Sequence, residues 1–240
     1  MSFKLYYFDS LASTQDKAKQ FAKEGFENIA IVADEQTEGR GRFSRKWISP
    51  KGGLWISFLL RPKIDKIHHL TFLAATAAAT AIRKTSGINA KIKWPNDIHY
   101  NNKKICGILT EGVFGNDKFV IVGMGIDVNQ EEFPEDIKDT ASSLKILTGK
   151  IYSLKNMAIL LSNIFFELYS DYYIKEKFED IREMWKKNCD TLGKEITAIN
   201  RKKKCITGTA FDVDENCSLM IKTLSGKILK VVEGDVSVRY

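Results

Sequence analysis

Four cations, Arg40, Arg42, Arg45 and Lys46, crowd one short stretch of this chain, and two glycines, Gly39 and Gly41, punctuate it. Glycine frees the backbone for left-handed turns, and clustered guanidinium groups hold anions by charge and by geometry. Such a segment suits a phosphate or a carboxylate, with a solvated basic hairpin as the plain alternative. It is not a Walker loop: GxxxxGK[ST] occurs nowhere in the chain, and Gly39-Arg40-Gly41-Arg42-Phe43-Ser44 breaks the dinucleotide fingerprint at its last position. The three histidines, His68, His69 and His99, offer no pairing for a Ser/His/Asp hydrolase and no metal-ligand spacing. Cys106, Cys189, Cys205 and Cys217 form no CxxC pair, so reduced thiols and no structural zinc are expected. What the residue types favour is nucleotide binding by an arginine loop.

That loop needs a frame. Residues 34–49 exceed the usual connection length and hang between a strand at 29–33 and an apolar run at 54–60, which reads as a buried strand ended by Arg61-Pro62. With two glycines and mutually repelling cations, the segment Gly39 to Lys46 is expected to lack an apolar anchor of its own and to order on its ligand. Upstream, residues 3–8 read as an aromatic strand, and Ser13 or Thr14 caps a helix running to Glu24, with Gly25 placed to stop it. Downstream, Leu70, Leu73, Ala74, Ala77, Ala78, Ala81 and Ile82 share a helical face over 68–86. Strands are expected at 90–94, 105–111 and 118–123, with Tyr100-Asn101-Asn102-Lys103 as a tight turn because Asn tolerates positive φ. Amphipathic helices follow at 153–172 and 175–189. After Gly193 come short strands at 194–200, 205–213, 218–223, 228–232 and 236–239, with turns at Asp214-Glu215-Asn216 and Ser225-Gly226. Short links between consecutive strands argue for a largely antiparallel sheet rather than a doubly wound one. The class is α+β: a mixed or antiparallel sheet with flanking helices over 1–190, then a small C-terminal SH3-like β-barrel over 191–240.

Gly39-Arg40-Gly41-Arg42 followed by Arg45-Lys46-Trp47 resembles the signature loop of biotin protein ligases, which closes over biotin and the nucleotide. Two further blocks match in order: Lys93-Trp94-Pro95-Asn96-Asp97 with Lys104-Ile105-Cys106-Gly107-Ile108-Leu109-Thr110-Glu111, then Gly123-Met124-Gly125-Ile126-Asp127-Val128-Asn129. The resemblance covers nearly the whole chain and implies a class II synthetase-like fold. It also implies ATP and Mg²⁺ as cofactors, with biotin as substrate. Biotin and ATP would give biotinyl-5′-AMP, and a lysine on the biotin carboxyl-carrier domain of a biotin-dependent carboxylase or decarboxylase would then take the biotin. A carboxylate is already an anion at neutral pH, so such a site needs charge neutralisation and in-line positioning rather than a base.

Carried over residue by residue, Ser13, Thr14, Gln15 and Gln36 would bind the ureido ring. Arg40, Gly41 and Arg42 would cover the carboxylate and phosphates, and Lys104 would stand at the carboxylate and α-phosphate. Asp97 would orient or deprotonate the incoming amine, which makes Arg42, Lys104 and Asp97 the catalytic set. Arg45, Lys46, Trp47, Lys93, Asn96, Asp127 and Asn129 would serve the ATP, with Trp47 as a face for the adenine. The Mg²⁺ would come with the triphosphate near Asn96, without a dedicated metal site. Two departures stand out: Asp127 occupies a place where the family more often has Asn, and Gln15 replaces a common Asn.

Composition agrees with a globular enzyme: 240 residues, 44% hydrophobic and 28% charged. No apolar run is long enough to cross a bilayer, and a cytoplasmic protein without a membrane partner is expected. The chain starts at the catalytic domain, leaving no room for the DNA-binding module of longer family members, so DNA is not an expected partner; a homodimer is compatible. Two rivals remain. A lipoate ligase shares the fold and chemistry. A basic nucleic-acid-binding module would use the net charge of +7 and the Arg201 to Lys204 run, although no aromatics interleave there to stack bases.

Overall fold

The computed structural model describes residues 3–62, 67–115, 118–199, 205–232 and 235–238. Its larger sheet contains β1 (Lys4–Leu11), β2 (Ile29–Gln36), β3 (Leu54–Leu60), β4 (Lys91–Lys93), β5 (Asp97–Tyr100), β6 (Lys103–Val113) and β7 (Phe119–Ile126). They lie in the order β1-β2-β3-β7-β6-β5-β4. Only the β1–β2 pair is parallel, because α1 (Thr14–Lys23) crosses between them; every other pair is antiparallel. The sheet is mixed, and the expected antiparallel character holds.

All seven residues of β3 are buried, so its sequence is apolar at every position but Ser57 rather than alternating. On one face lie α2 (Ile67–Ser86) and α4 (Leu154–Lys175), and on the other a smaller cluster joins Phe21 and Ala22 of α1 to Ile31, Leu59 and Ile121. Ala74, Ala75, Ala77, Ala78 and Ala81 let α2 approach the sheet closely, and Gly87, at φ 78°, ends it. Cutting Ile56, fully buried in β3, back to Ala should cost about 2–5 kcal/mol. At the start of α1 the Ser13 hydroxyl accepts from the Gln15 amide at 3.2 Å, as a cap should.

Two elements escaped the sequence reading. Strand β5 begins two residues after Pro95, and its four residues are too few to show a period. The short helix α3 (Leu144–Thr148) is a single capped turn, with Ser143 accepting from Ile146 N and Gly149 left-handed behind it. Strand β7 runs on through Gly125 to Ile126, three residues past the expected end. Asn101 and Asn102 both take positive φ, 48° and 63°, as their turn required.

The smaller sheet holds β8 (Glu195–Ile199), β9 (Cys205–Val213), β10 (Leu219–Lys222), β11 (Ile228–Val231) and β12 (Asp235–Val238), antiparallel throughout in the order β11-β10-β9-β8-β12. It is fastened to the body by Trp94, whose indole N–H donates to Cys217 O at 3.0 Å, and by His69, whose Nε2 lies 2.7 Å from Glu215 O. Helix α5 (Phe178–Asn188) adds the ion pair Lys186–Asp212 at 2.8 Å. The basic run at Arg201 to Lys204 lies outside the described residues. Among the described residues, no helix is long and apolar enough to cross a membrane.

Candidate functional site

A cavity of about 400 Å³ opens between the arginine loop, the faces of β6 and β7, and the segment 130–141. One end is built by the start of α1. There the Gln36 side-chain oxygen accepts from Thr14 N at 2.8 Å and from the Thr14 hydroxyl at 3.0 Å, while Gln36 Nε2 donates to Ser49 Oγ. Because the Thr14 hydroxyl gives its proton to Gln36, it accepts from Ser57 Oγ, 2.8 Å away. Gln15 Nε2 donates to Leu109 O at 3.0 Å, leaving its buried Oε1 without a partner among the described residues. Gly123 makes room for this side chain, since a Cβ there would stand 3.1 Å from Gln15 Cδ.

The loop forms the roof. Arg40 and Lys46 pair across it, Gly41 N donates to Arg45 O, and Phe43 and Ser44 turn the chain with φ of 57° each. The segment Gly39 to Lys46 is seated by an apolar neighbour just beyond its end, Trp47. The Trp47 backbone N–H donates to Gly39 O at 2.9 Å, and the Trp47 ring rests on Gly107 and Gly125, which are cross-strand partners on β6 and β7. A Cβ at Gly125 would fall 2.4 Å from Trp47 Nε1, so only glycine lets the ring sit there. The Lys104 ammonium stands 5.0 Å from the ring centre and 2.7 Å from Asp97 Oδ1. Arg42 Nη1 donates to Asn96 Oδ1 at 3.1 Å, and Asn96 Nδ2 donates to Ile108 O at 2.7 Å. Arg40, expected over a carboxylate, sends its guanidinium instead to Asp16 and Glu111.

At the far end, Asp127 is buried beside Gln130, whose Nε2 donates to Asp127 Oδ1 at 2.8 Å. Burial pushes the Asp127 carboxyl well above the usual carboxylate range, and the Lys104 charge and the Gln130 bond oppose it only in part. Ser143 Oγ donates to Gln130 O, fixing the segment that brings Phe133, Pro134 and Ile137 to the cavity. Burial likewise raises the Cys106 thiol, which makes it inert packing.

The structure therefore gathers Ser13, Thr14, Gln15, Gln36, Arg40, Gly41, Arg42, Arg45, Lys46, Trp47, Asn96, Asp97, Lys104 and Asp127 around one cavity. Two expected residues are elsewhere. Asn129 uses its amide to bind Tyr152, donating to Tyr152 O at 2.8 Å and accepting from Tyr152 N at 2.9 Å, and Lys93 does not line the cavity. Sequence reasoning missed Gln130 and the roles of Gly107, Gly123 and Gly125. The last two carried a readable signal, because glycines two apart in a strand clear one face of it. Gln15 Oε1, Trp47 Nε1 and Gln130 Oε1 are buried, lack partners among the described residues, and belong to side chains around this one cavity. Unsatisfied buried polar atoms are costly, and these three are placed where a polar ligand in the cavity can meet them.

A model of the Biotin/lipoate A/B protein ligase family matches residues 7–129, and one of the Biotin protein ligase C terminal domain matches residues 191–239. The chain is 38% identical over 244 residues to the bifunctional ligase/repressor BirA of Bacillus subtilis, covering 97% of this chain and 73% of that protein. It is 30% identical over 214 residues to the biotin–[acetyl-CoA-carboxylase] ligase of Paracoccus denitrificans, covering 82% and 85%. Among solved structures, the biotin protein ligase of Aquifex aeolicus in complex with biotin and ATP superposes with a TM-score of 0.88 at 33% identity, over 98% of each chain.

Proposed function

The chain belongs to the Biotin/lipoate A/B protein ligase family, and we infer that it is a biotin–protein ligase acting on biotin and ATP, with the biotin carrier domain of a biotin-dependent enzyme as acceptor. The observation that carries this reading into the site is the two-ended cavity itself. A fixed amide-and-hydroxyl set at one end suits a neutral ureido ring, orphaned polar atoms at the other suit a base, and Lys104 and Arg42 lie with Asp97 and Asn96 between them.

The first step joins a biotin carboxylate oxygen to the α-phosphorus of ATP as pyrophosphate leaves. Lys104, held at 2.7 Å by Asp97 and beside the Trp47 ring, is aimed to neutralise both reacting anions. Arg42 adds a fork that can bridge carboxylate and phosphate oxygens once it releases Asn96. Asn96 Oδ1 would offer a neutral oxygen to a Mg²⁺ accompanying the nucleotide, and that cation would supply charge neutralisation at the phosphates. In the second step the acceptor lysine nitrogen attacks the anhydride carbonyl and AMP departs. Asp97 then has a carboxylate free to take the amine's proton as Lys104 follows the departing charge. At the base-facing end stands Asp127, whose carboxyl burial pushes well above the usual carboxylate range, in the place where the resemblance sets an Asn. Trp47 walls that end, while Arg45 and Lys46 add positive potential at the rim. We divide the chain into a catalytic part, 1–190, and a C-terminal part, 191–240, the latter supporting nucleotide closure and docking of the carrier.

Incubation with biotin, ATP and Mg²⁺ should give biotinyl-5′-AMP by mass spectrometry, followed by label on an added carrier domain. A parallel incubation with lipoate separates the sister activity. Formation of lipoyl-AMP and no biotinyl-AMP would overturn the reading.

A further inference from the structure

We propose that Asp16 and Glu111 are positioning residues that latch Arg40 and so hold the first limb of the arginine loop over the ring end of the cavity. Arg40 Nη1 lies 2.7 Å from Asp16 Oδ2 and Nη2 lies 2.8 Å from Asp16 Oδ1, a two-pronged match of fork to carboxylate. The same Nη2 reaches Glu111 Oε2 at 3.2 Å. Lys19 closes the set at 3.1 Å from Glu111 and 3.8 Å from Asp16, so two carboxylates and two cations balance. The three elements joined are those the site depends on. Asp16 follows Ser13, Thr14 and Gln15 in the first turn of α1, Glu111 lies on β6 beyond Leu109, and Arg40 belongs to the roof.

The position of Arg40 gives the latch its leverage. It is flanked by Gly39 and Gly41, whose backbones restrict the chain least. Before it, Thr37 N and Glu38 N donate to Leu11 O and Ala12 O, stitching the loop's entry to the residues that precede α1. After it comes the turn that carries Arg42 to Asn96. Between those glycines Arg40 is the one side chain, and fixing its guanidinium fixes where the chain enters that turn. The pairs are partly exposed, with 25% of the Arg40 and 49% of the Asp16 side chain open to solvent, so the latch can release and its strength is screened by salt.

This inference rests on reading the cavity as the site of the biotinyl adenylate, whose escape requires the roof to open. Asp16→Asn and Glu111→Gln should each speed hydrogen exchange at residues 39–47 in the ligand-free chain, and the double variant should speed adenylate dissociation by about three- to tenfold. Asp16→Glu should restore most of the effect, and the wild-type off-rate should climb with ionic strength more steeply than that of the double variant. Unchanged exchange at 39–47 overturns the latch, as does a rise in exchange that is equal along α1, since that is only fraying of the helix. The ligand-free exchange decides the matter even if no adenylate forms, whereas absence of adenylate in the wild-type chain counts against the ligase reading alone.

Discussion

Replacing Gly125 with Ala should unseat the roof while sparing the fold. An alanine Cβ would lie 2.4 Å from Trp47 Nε1, 2.8 Å from Cε2 and 3.2 Å from Cζ2, whereas ordinary contact begins near 3.4 Å, so the ring must retreat by about 1 Å. The atoms in the way belong to a rigid indole, so no flexible tip can yield. Overpacking of this kind costs about 1–3 kcal/mol in a closed core. Here the ring can leave with its loop, so the cost should appear as loss of the closed state, about five- to 150-fold in its population, with little change in melting temperature. The same substitution at Gly107 meets Trp47 Cζ3 at 3.0 Å and should be milder, and at Gly123 it meets the pliant Gln15 side chain at 3.1 Å and should be milder still. Single-turnover adenylation follows the function. Fluorescence follows the ring, because Trp55, Trp94 and Trp185 are 0%, 2% and 0% exposed and only Trp47 can gain solvent. Normal adenylation and an unshifted spectrum in Gly125→Ala, or a larger defect at Gly107 than at Gly125, would refute the seating argument.

Lys104→Ala should slow single-turnover adenylation by about 10²–10³-fold, since it removes a cation from developing phosphate charge but no core volume, and a normal rate would return Lys104 to a turn residue. Arg42→Gly should speed dissociation of biotinyl-5′-AMP by about tenfold or more and raise stray labelling of a bystander albumin; unchanged retention would limit Arg42 to holding Asn96. Asp127→Asn should stabilise the fold increasingly as pH rises. The folded carboxyl keeps its proton above the ordinary value of 3.8, where the unfolded chain has lost it, so wild-type stability falls with pH from about 4 until the folded group ionises. Over that window the gap measured by urea unfolding should widen by up to about 1.4 kcal/mol per pH unit, and a gap flat in pH would remove the burial argument.

The sequence made some of this visible because local rules decided it. Asn101-Asn102 announced its turn by tolerance of positive φ, Ser13 announced its cap, and the run of β3, apolar but for Ser57, announced a strand covered on both faces. Strand β5 stayed hidden because four residues carry no period, and only pairing with β4 and β6 makes them a strand. The fate of Arg40 was hidden for a different reason. Nothing local links position 40 to position 111, and the choice between a ligand carboxylate and the carboxylates of Asp16 and Glu111 is made by tertiary distance. Asn129 teaches the same lesson in reverse, since its place in a glycine-rich block points at the nucleotide while its amide is spent on Tyr152.

The loop's repelling cations, which from sequence argue for an unanchored segment, are reconciled by where the fold sends them. Arg40 goes outward to two carboxylates on α1 and β6, and Arg42 goes across to Asn96. Trp47, at the loop's exit, goes down onto the glycine row of β6 and β7. The restraints at Arg40 and Arg42 are charge-assisted or polar and reversible; the third is a steric fit that has to be broken as a unit. The roof therefore has a hinge of differing strengths, weakest at the partly exposed Arg40 end and strongest at Trp47. Opening should begin at the ring end of the cavity and reach the Lys104–Asp97 pair last, which keeps the reactive carbonyl beside its cation for as long as the loop holds.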